Sequence, residues 1–193
     1  MKLPYYNPDS IKLLSSHLSK LLMVGAYSRQ IIFLCIGTDR STGDSLGPLV
    51  GSKLAQMPLF DITVIGTLEE PVHAVNLQET MERIQNQFPK AFIVAIDACL
   101  GQFKSVGYIE LGLGPLIPGA GVHKNLPAIG DIYMKGIVNF SGFMEYAILQ
   151  NTRLSIVMNM AHAMATIIGD AVGETLIPLH DQKNNGFSGP FVQ

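Results

Sequence analysis

Asp44 and Asp97 are the two side chains whose types and setting could do chemistry together. Each follows an apolar run. Residues 31–36 (Ile-Ile-Phe-Leu-Cys-Ile) lead through Gly37-Thr-Asp-Arg-Ser-Thr-Gly43 to Asp44, and residues 91–96 (Ala-Phe-Ile-Val-Ala-Ile) end directly on Asp97. Ligands of open α/β sheets bind beyond the carboxyl ends of the strands, so parallel neighbouring strands would aim both acids into one crevice. Two close carboxylates do not both ionise cheaply. One keeps a proton near neutral pH while the other activates water, which is aspartic-type acid–base hydrolysis. No cofactor is expected, although the same two aspartates could hold a divalent metal that polarises a carbonyl or activates the water. The plainer alternative makes Asp44 a helix cap and Asp97 a turn former.

A second candidate is Pro118-Gly-Ala-Gly-Val-His-Lys-Asn125. Gly119 and Gly121 leave backbone N–H groups open to hold a substrate strand or an oxyanion, and Asn125 adds an amide at the end of the same segment. His123 suits a proton carrier or a third metal ligand, against the alternative of an exposed loop histidine. No helix follows these glycines, so they are not a dinucleotide fingerprint. Glu69, Glu70 and His73 form another polar group, either a lid or added metal ligands, with a solvated turn the favoured reading. Cys35 and Cys99 read as small core residues, and a Cys99 thiol with His123 as base is the nucleophilic alternative. His162 falls within an apolar helical stretch and reads as structural.

The elements that must position these residues alternate. Ile11, Leu14, Leu18, Leu21 and Leu22 recur every three or four positions, predicting a helix from Ser10 to Val24 that Gly25 stops. Strand 31–36 precedes a helix over 45–57, with Asp44 or Ser45 as its cap and Pro48 in its first turn. A short strand over 61–66, a loop, and a helix over 75–88 closed by Pro89 follow. Strands are predicted at 91–96, 106–111 and 131–138, with a long loop over 112–125. Ser141 is expected to cap a helix reaching Gln150, ahead of a more apolar helix over 155–171. The alternation predicts an α/β fold, a three-layer α/β/α sandwich on a mostly parallel sheet. One domain over 1–178 and a flexible tail over 179–193 are expected.

Composition narrows the function classes. The 193 residues are 48% hydrophobic and 15% charged with net charge −2, which suits a filled core and leaves no basic face for direct nucleic-acid binding. No signal peptide is evident, and no stretch reads as the roughly 20 apolar residues of a membrane span. With Cys35 and Cys99 alone, a disulfide framework is not expected, and the reading is cytoplasmic. An apolar helix face left uncovered would make the chain a homo-oligomer.

Several stretches together resemble a known family. Ile36-Gly37, the corner Thr42-Gly-Asp-Ser-Leu-Gly-Pro48, Ile96-Asp97-Ala98 and Pro118-Gly-Ala-Gly-Val122 are similar to the spore germination protease and its shorter relatives, the sporulation protein YyaC family. Thr67-Leu-Glu-Glu-Pro-Val-His-Ala-Val-Asn-Leu77 resembles the YyaC branch in particular. The resemblance runs from about residue 30 to 170. It implies an endopeptidase of the germination-protease type that cleaves small acid-soluble spore proteins in the forespore or spore core, with Asp44 and Asp97 at the positions of the essential aspartates. It also implies the phosphorylase/hydrolase-like fold shared with hydrogenase maturation endopeptidases, in which Asp44 and Asp97 match two of the nickel-binding positions. This chain has Thr38 and Asp39 where the germination protease has an asparagine.

Overall fold

The structure is a computed structural model that describes residues 1–25, 29–59, 61–118 and 127–185. Its chain order is β1 (Lys2–Pro4), α1 (Pro8–Gly25), β2 (Ile31–Cys35), α2 (Leu46–Ala55), β3 (Ile62–Ile65), α3 (Leu77–Gln87), β4 (Phe92–Gly101), β5 (Tyr108–Leu113), β6 (Ile132–Phe140), α4 (Glu145–Gln150) and α5 (Leu154–Asn185). A single six-stranded sheet has the order β1-β5-β6-β4-β2-β3. Strands β3, β2, β4 and β6 run parallel, while β5 and β1 are antiparallel additions at one side. The expected mostly parallel α/β sandwich is therefore present.

Local chemistry accounts for the elements. Asn7 caps α1 by accepting the Asp9 N–H on Oδ1 at 2.9 Å, and Leu14, Leu18 and Leu22 form its buried stripe. Strand β2 is buried along its whole length, as its unbroken apolar run requires of a strand covered on both faces. Alternation then sorts the side chains. Ile31, Phe33 and Cys35 join a large core with α1, α2 and α5, whereas Ile32, Leu34 and Ile36 join a smaller one with Leu77 and Ile84 of α3.

The structure differs from expectation at several elements. Strand β4 continues through Asp97 to Gly101, because β6 supplies a pairing partner as far as Phe140. Strand β1 was not anticipated, since it is short and ends in proline. Neither Asp44 nor Ser45 caps α2: the Ser45 hydroxyl donates back to the Thr42 carbonyl at 2.7 Å. Ser141 does not cap α4, which begins after Met144, a residue with a left-handed backbone (φ 65°). The last helix also runs past the predicted residue 171 to Asn185. Its Leu154–Thr175 part is, contrary to expectation, long and apolar enough to cross a membrane. Here Val157, Met160, Ala161, Met164, Ile167, Ile168 and Ala171 pack into the core instead.

Candidate active site

The Asp44 corner is built by close approach of backbone to backbone. The Thr38 N–H donates to the Asp44 carbonyl at 3.2 Å, and the Gly37 N–H donates to the Val72 carbonyl at 2.8 Å. Gly37 has φ +144°, and a Cβ there would strike the Asp44 carbonyl oxygen. Gly47 similarly lies against the Ile36 carbonyl oxygen, with no room for a side chain. These two contacts explain why glycine flanks the acid on both sides. The Gly43 N–H donates to the Leu149 carbonyl at 2.9 Å, tying the corner to the end of α4. Within the turn Ser41 is 5% exposed, and among the described residues its hydroxyl has no hydrogen-bond partner.

Burial pushes the Asp44 carboxyl above the ordinary aspartate range, against a hydrogen bond from the Thr38 backbone and the electrostatic influence of the nearby His73. His73 is brought there by the loop between β3 and α3. That loop crosses the end of β2, where Val72 bridges Ile36 in parallel. It is pinned by the Ser52 hydroxyl, which accepts the Leu68 N–H at 2.9 Å, and by the Asn76 side chain, which accepts the His73 N–H at 2.8 Å. The His73 Nδ1 accepts the Val75 N–H at 3.3 Å, so in the neutral ring the proton sits on Nε2. The segment is the expected turn ahead of a helix, with Glu69 and Glu70 exposed, and it also sets His73 within electrostatic reach of Asp44. Its sequence signal was real but weak: a histidine three residues after paired glutamates.

Asp97 is positioned differently, by the sheet itself. Cys35 pairs with Ile96, and the Ile36 N–H donates to the Ile96 carbonyl at 2.7 Å, so Asp97 lies beside the exit of β2. Its residue is 6% exposed, and Oδ1 accepts the Ala98 N–H at 2.8 Å. Across the sheet Asp97 is in register with Lys135, Lys135 with Glu110, and Glu110 with Lys2. Register partners share a face, so four strands present charges of alternating sign in one row. Tyr133 joins this face, donating its hydroxyl to Glu110 at 3.1 Å while the Lys135 ammonium lies 4.8 Å from its ring centre. Sequence reasoning missed Lys135 and Glu110, whose relation to Asp97 exists only through strand pairing.

Asp44 thus stands on the turn beyond the carboxyl end of β2, and Asp97 stands inside β4 beside that end rather than at the end of its own strand. Gly119, Gly121, His123 and Asn125 lie outside the described residues. Cys99, two residues beyond Asp97, has its thiol pushed up to about 12 by burial and by Asp97, which disfavours the nucleophilic thiolate. Among the described residues no group of three or more His, Cys, Asp or Glu side chains could hold a metal ion.

Residues 2–167 match the family described as DUF1256, protein of unknown function. The chain belongs to the DUF1256 family. Within it, the chain is 57% identical over 153 residues to the uncharacterized protein YyaC of Bacillus subtilis (strain 168), covering 79% of this chain and 72% of the relative. Among solved structures, the NiFe hydrogenase maturation protease HycI from Thermococcus kodakarensis KOD1 is similar in fold. The TM-score is 0.52 at 14% identity, covering 79% of this chain and 98% of HycI. At that identity the likeness speaks to the fold, so this DUF1256 chain shares the α/β architecture of a protease.

Proposed function

We propose that this DUF1256 protein is a peptidase of the germination-protease type that hydrolyses peptide bonds of a spore protein through Asp44 and Asp97. The observation that carries the reading is a half-buried Asp44, with its carboxyl raised, on the turn that follows β2, and a buried Asp97 in the neighbouring parallel strand β4 at the level where β2 ends. The fold likeness to a maturation protease supports it. In this reading the Asp97 carboxylate takes a proton from water, and the water oxygen attacks the peptide carbonyl carbon. The protonated Asp44 donates to the carbonyl oxygen. Collapse of the tetrahedral gem-diol then breaks the C–N bond: one of its hydroxyls returns a proton to Asp44 as the new carboxyl forms, and the amine leaves with the proton held by Asp97. Gly119, Gly121 and Asn125 hold the substrate strand, and His123 assists proton transfer. The raised carboxyl of Asp44 suits the donor role, because it extends the pH range over which the acid form survives. The substrates are small acid-soluble spore proteins, met in the cytoplasm of the forespore or in the spore core.

A metal-assisted form of the same hydrolysis, with Asp44 and Asp97 as the ligands, is the second reading. The deciding experiment is mass spectrometry of small acid-soluble spore protein incubated with wild type and with Asp97→Asn, each with and without added nickel or zinc. Cleavage by wild type and its loss in Asp97→Asn is the expected result. Retained cleavage in Asp97→Asn overturns the assignment, and cleavage only with metal selects the second reading. No cleavage under any condition supports a protein that binds without turnover.

A further inference from the structure

The loop that carries His73 borders a groove along the free edge of the sheet. Strand β3 is the outermost strand on that side: it pairs with β2, and no described strand pairs with its other edge. Such an edge carries backbone N–H and C=O groups ready for another strand. Natural edges are commonly blunted by a lysine, a proline or a covering element, and Ile62-Thr-Val-Ile65 contains neither lysine nor proline. Nor does a helix seal it. Between Thr63, Val64 and Ile65 on one side and α3 on the other lies a groove of about 1090 Å³. The four residues of β3 span roughly 13 Å at the usual rise, room for a short extended segment.

The groove has a charge and an end. Glu70, Glu79 and Glu82 line it against the single guanidinium of Arg83. The one salt bridge among the described residues is Arg29–Asp131, so the three glutamates are not neutralised within the chain. At the carboxyl end of β3 the groove is lined by Val72 and His73, the residues that bridge Ile36 and reach Asp44. A strand laid along β3 is therefore aimed at the acid corner by the same parallel alignment that organises the sheet.

We propose that the β3 edge is the substrate-docking strand: an extended peptide carrying basic side chains adds to the sheet along Thr63–Ile65, with Glu79 and Glu82 selecting its charge. Main-chain pairing supplies affinity and side-chain pockets supply specificity, as in other strand-addition complexes. The proposal rests on the hydrolase reading for its purpose, but binding is measured apart from cleavage.

The test uses the full chain carrying Asp97→Asn and a fluorescein-labelled octapeptide of alternating valine and lysine. The controls are the same peptide with alternate amides N-methylated and a valine–glutamate counterpart. Fluorescence anisotropy is expected to show the valine–lysine peptide binding about tenfold or more tightly than either control. Amide hydrogen exchange is expected to slow at Thr63–Ile65. Glu79 and Glu82 are exposed, so adding Glu79→Lys with Glu82→Lys leaves the fold intact and reverses the preference between lysine and glutamate peptides. Equal binding of the N-methylated peptide, an unchanged charge preference, or no binding each overturns the edge proposal. If spore protein is still cleaved by wild type in an Asp97-dependent way, that failure leaves the hydrolase reading standing. Edge binding without cleavage does the converse.

Discussion

The two faces of the sheet are built to different standards. On one, α1, α2 and α5 cover Ile31, Phe33, Cys35, Val94, Ile96 and Met134 in a continuous apolar core. On the other, a smaller cluster led by Ile32, Leu34, Ile84 and Leu116 covers β2 along its length and the amino-terminal half of β4. Farther along, that second face turns polar, with Asp97, Lys135, Glu110 and Tyr133 in place of aliphatic residues. The same strands serve both purposes, because alternation sends successive side chains to opposite sides. Stability is concentrated on the helical face, and the candidate chemistry collects where the other face stops being dry.

The largest test of this division is a cavity on the helical face. Ile168 is fully buried in the α5 packing. Ile168→Ala is expected to cost about 2–5 kcal/mol of unfolding free energy, the range for removing a large aliphatic side chain from a core. Lys135→Met on the polar face is expected to cost about 1 kcal/mol or less, since it removes only cross-strand charge pairing. Urea denaturation of the two variants measures both. Comparable losses would mean that the charged row bears as much of the fold as the helical core does.

A smaller effect concerns the corner acid. Burial raises the Asp44 carboxyl in the folded protein, so between its unfolded and folded pKa the native state binds more proton than the unfolded state. Stability contributed by this group is fully present below the unfolded pKa and is lost as pH rises through the folded one. At neutral pH the wild type therefore carries the cost of a desolvated charge. Asp44→Asn is expected to melt at a higher temperature than wild type at pH 7, and the gap is expected to close towards pH 3. A gap that is flat with pH would remove burial as the cause.

Legibility followed the same division. The apolar runs 31–36 and 91–96 and the leucine spacing of α1 depend on local pattern, and each lies on an observed element. The place of Asp44 just beyond β2, and of Asp97 directly after the apolar run of β4, followed from those runs. What the pattern hid depends on partners distant in sequence. Strand β4 outlasts its apolar run because β6 keeps pairing with it, which places Asp97 inside the strand. His73 gains its relation to Asp44 only when Val72 bridges Ile36. Strand β1 is held by pairing to β5, with Lys2 opposite Glu110, although three residues ending in proline carry little strand signal.

The two cysteines give the finest comparison of the faces, because one thiol stands on each. Cys35 points into the helical core, and burial alone pushes its thiol far up. Cys99 stands on the face of Asp97, and its thiol is raised to about 12 first by burial, then by Asp97, with Lys135 opposing. At pH 8 a thiol of that acidity is thiolate to about one part in ten thousand, so native alkylation is slow at both positions. Asp97→Asn removes a negative charge that disfavours the thiolate, and the iodoacetamide rate at Cys99 is expected to rise roughly twofold to tenfold. Lys135→Met removes the opposing positive charge and is expected to slow the same reaction. Cys35 is expected to respond to neither substitution. Peptide mass mapping of the alkylated native protein separates the sites, and a parallel response at Cys35 would show that the variants loosen the whole fold. A response confined to Cys99 ties the chemistry of this face to the row of charges that the strand register assembles.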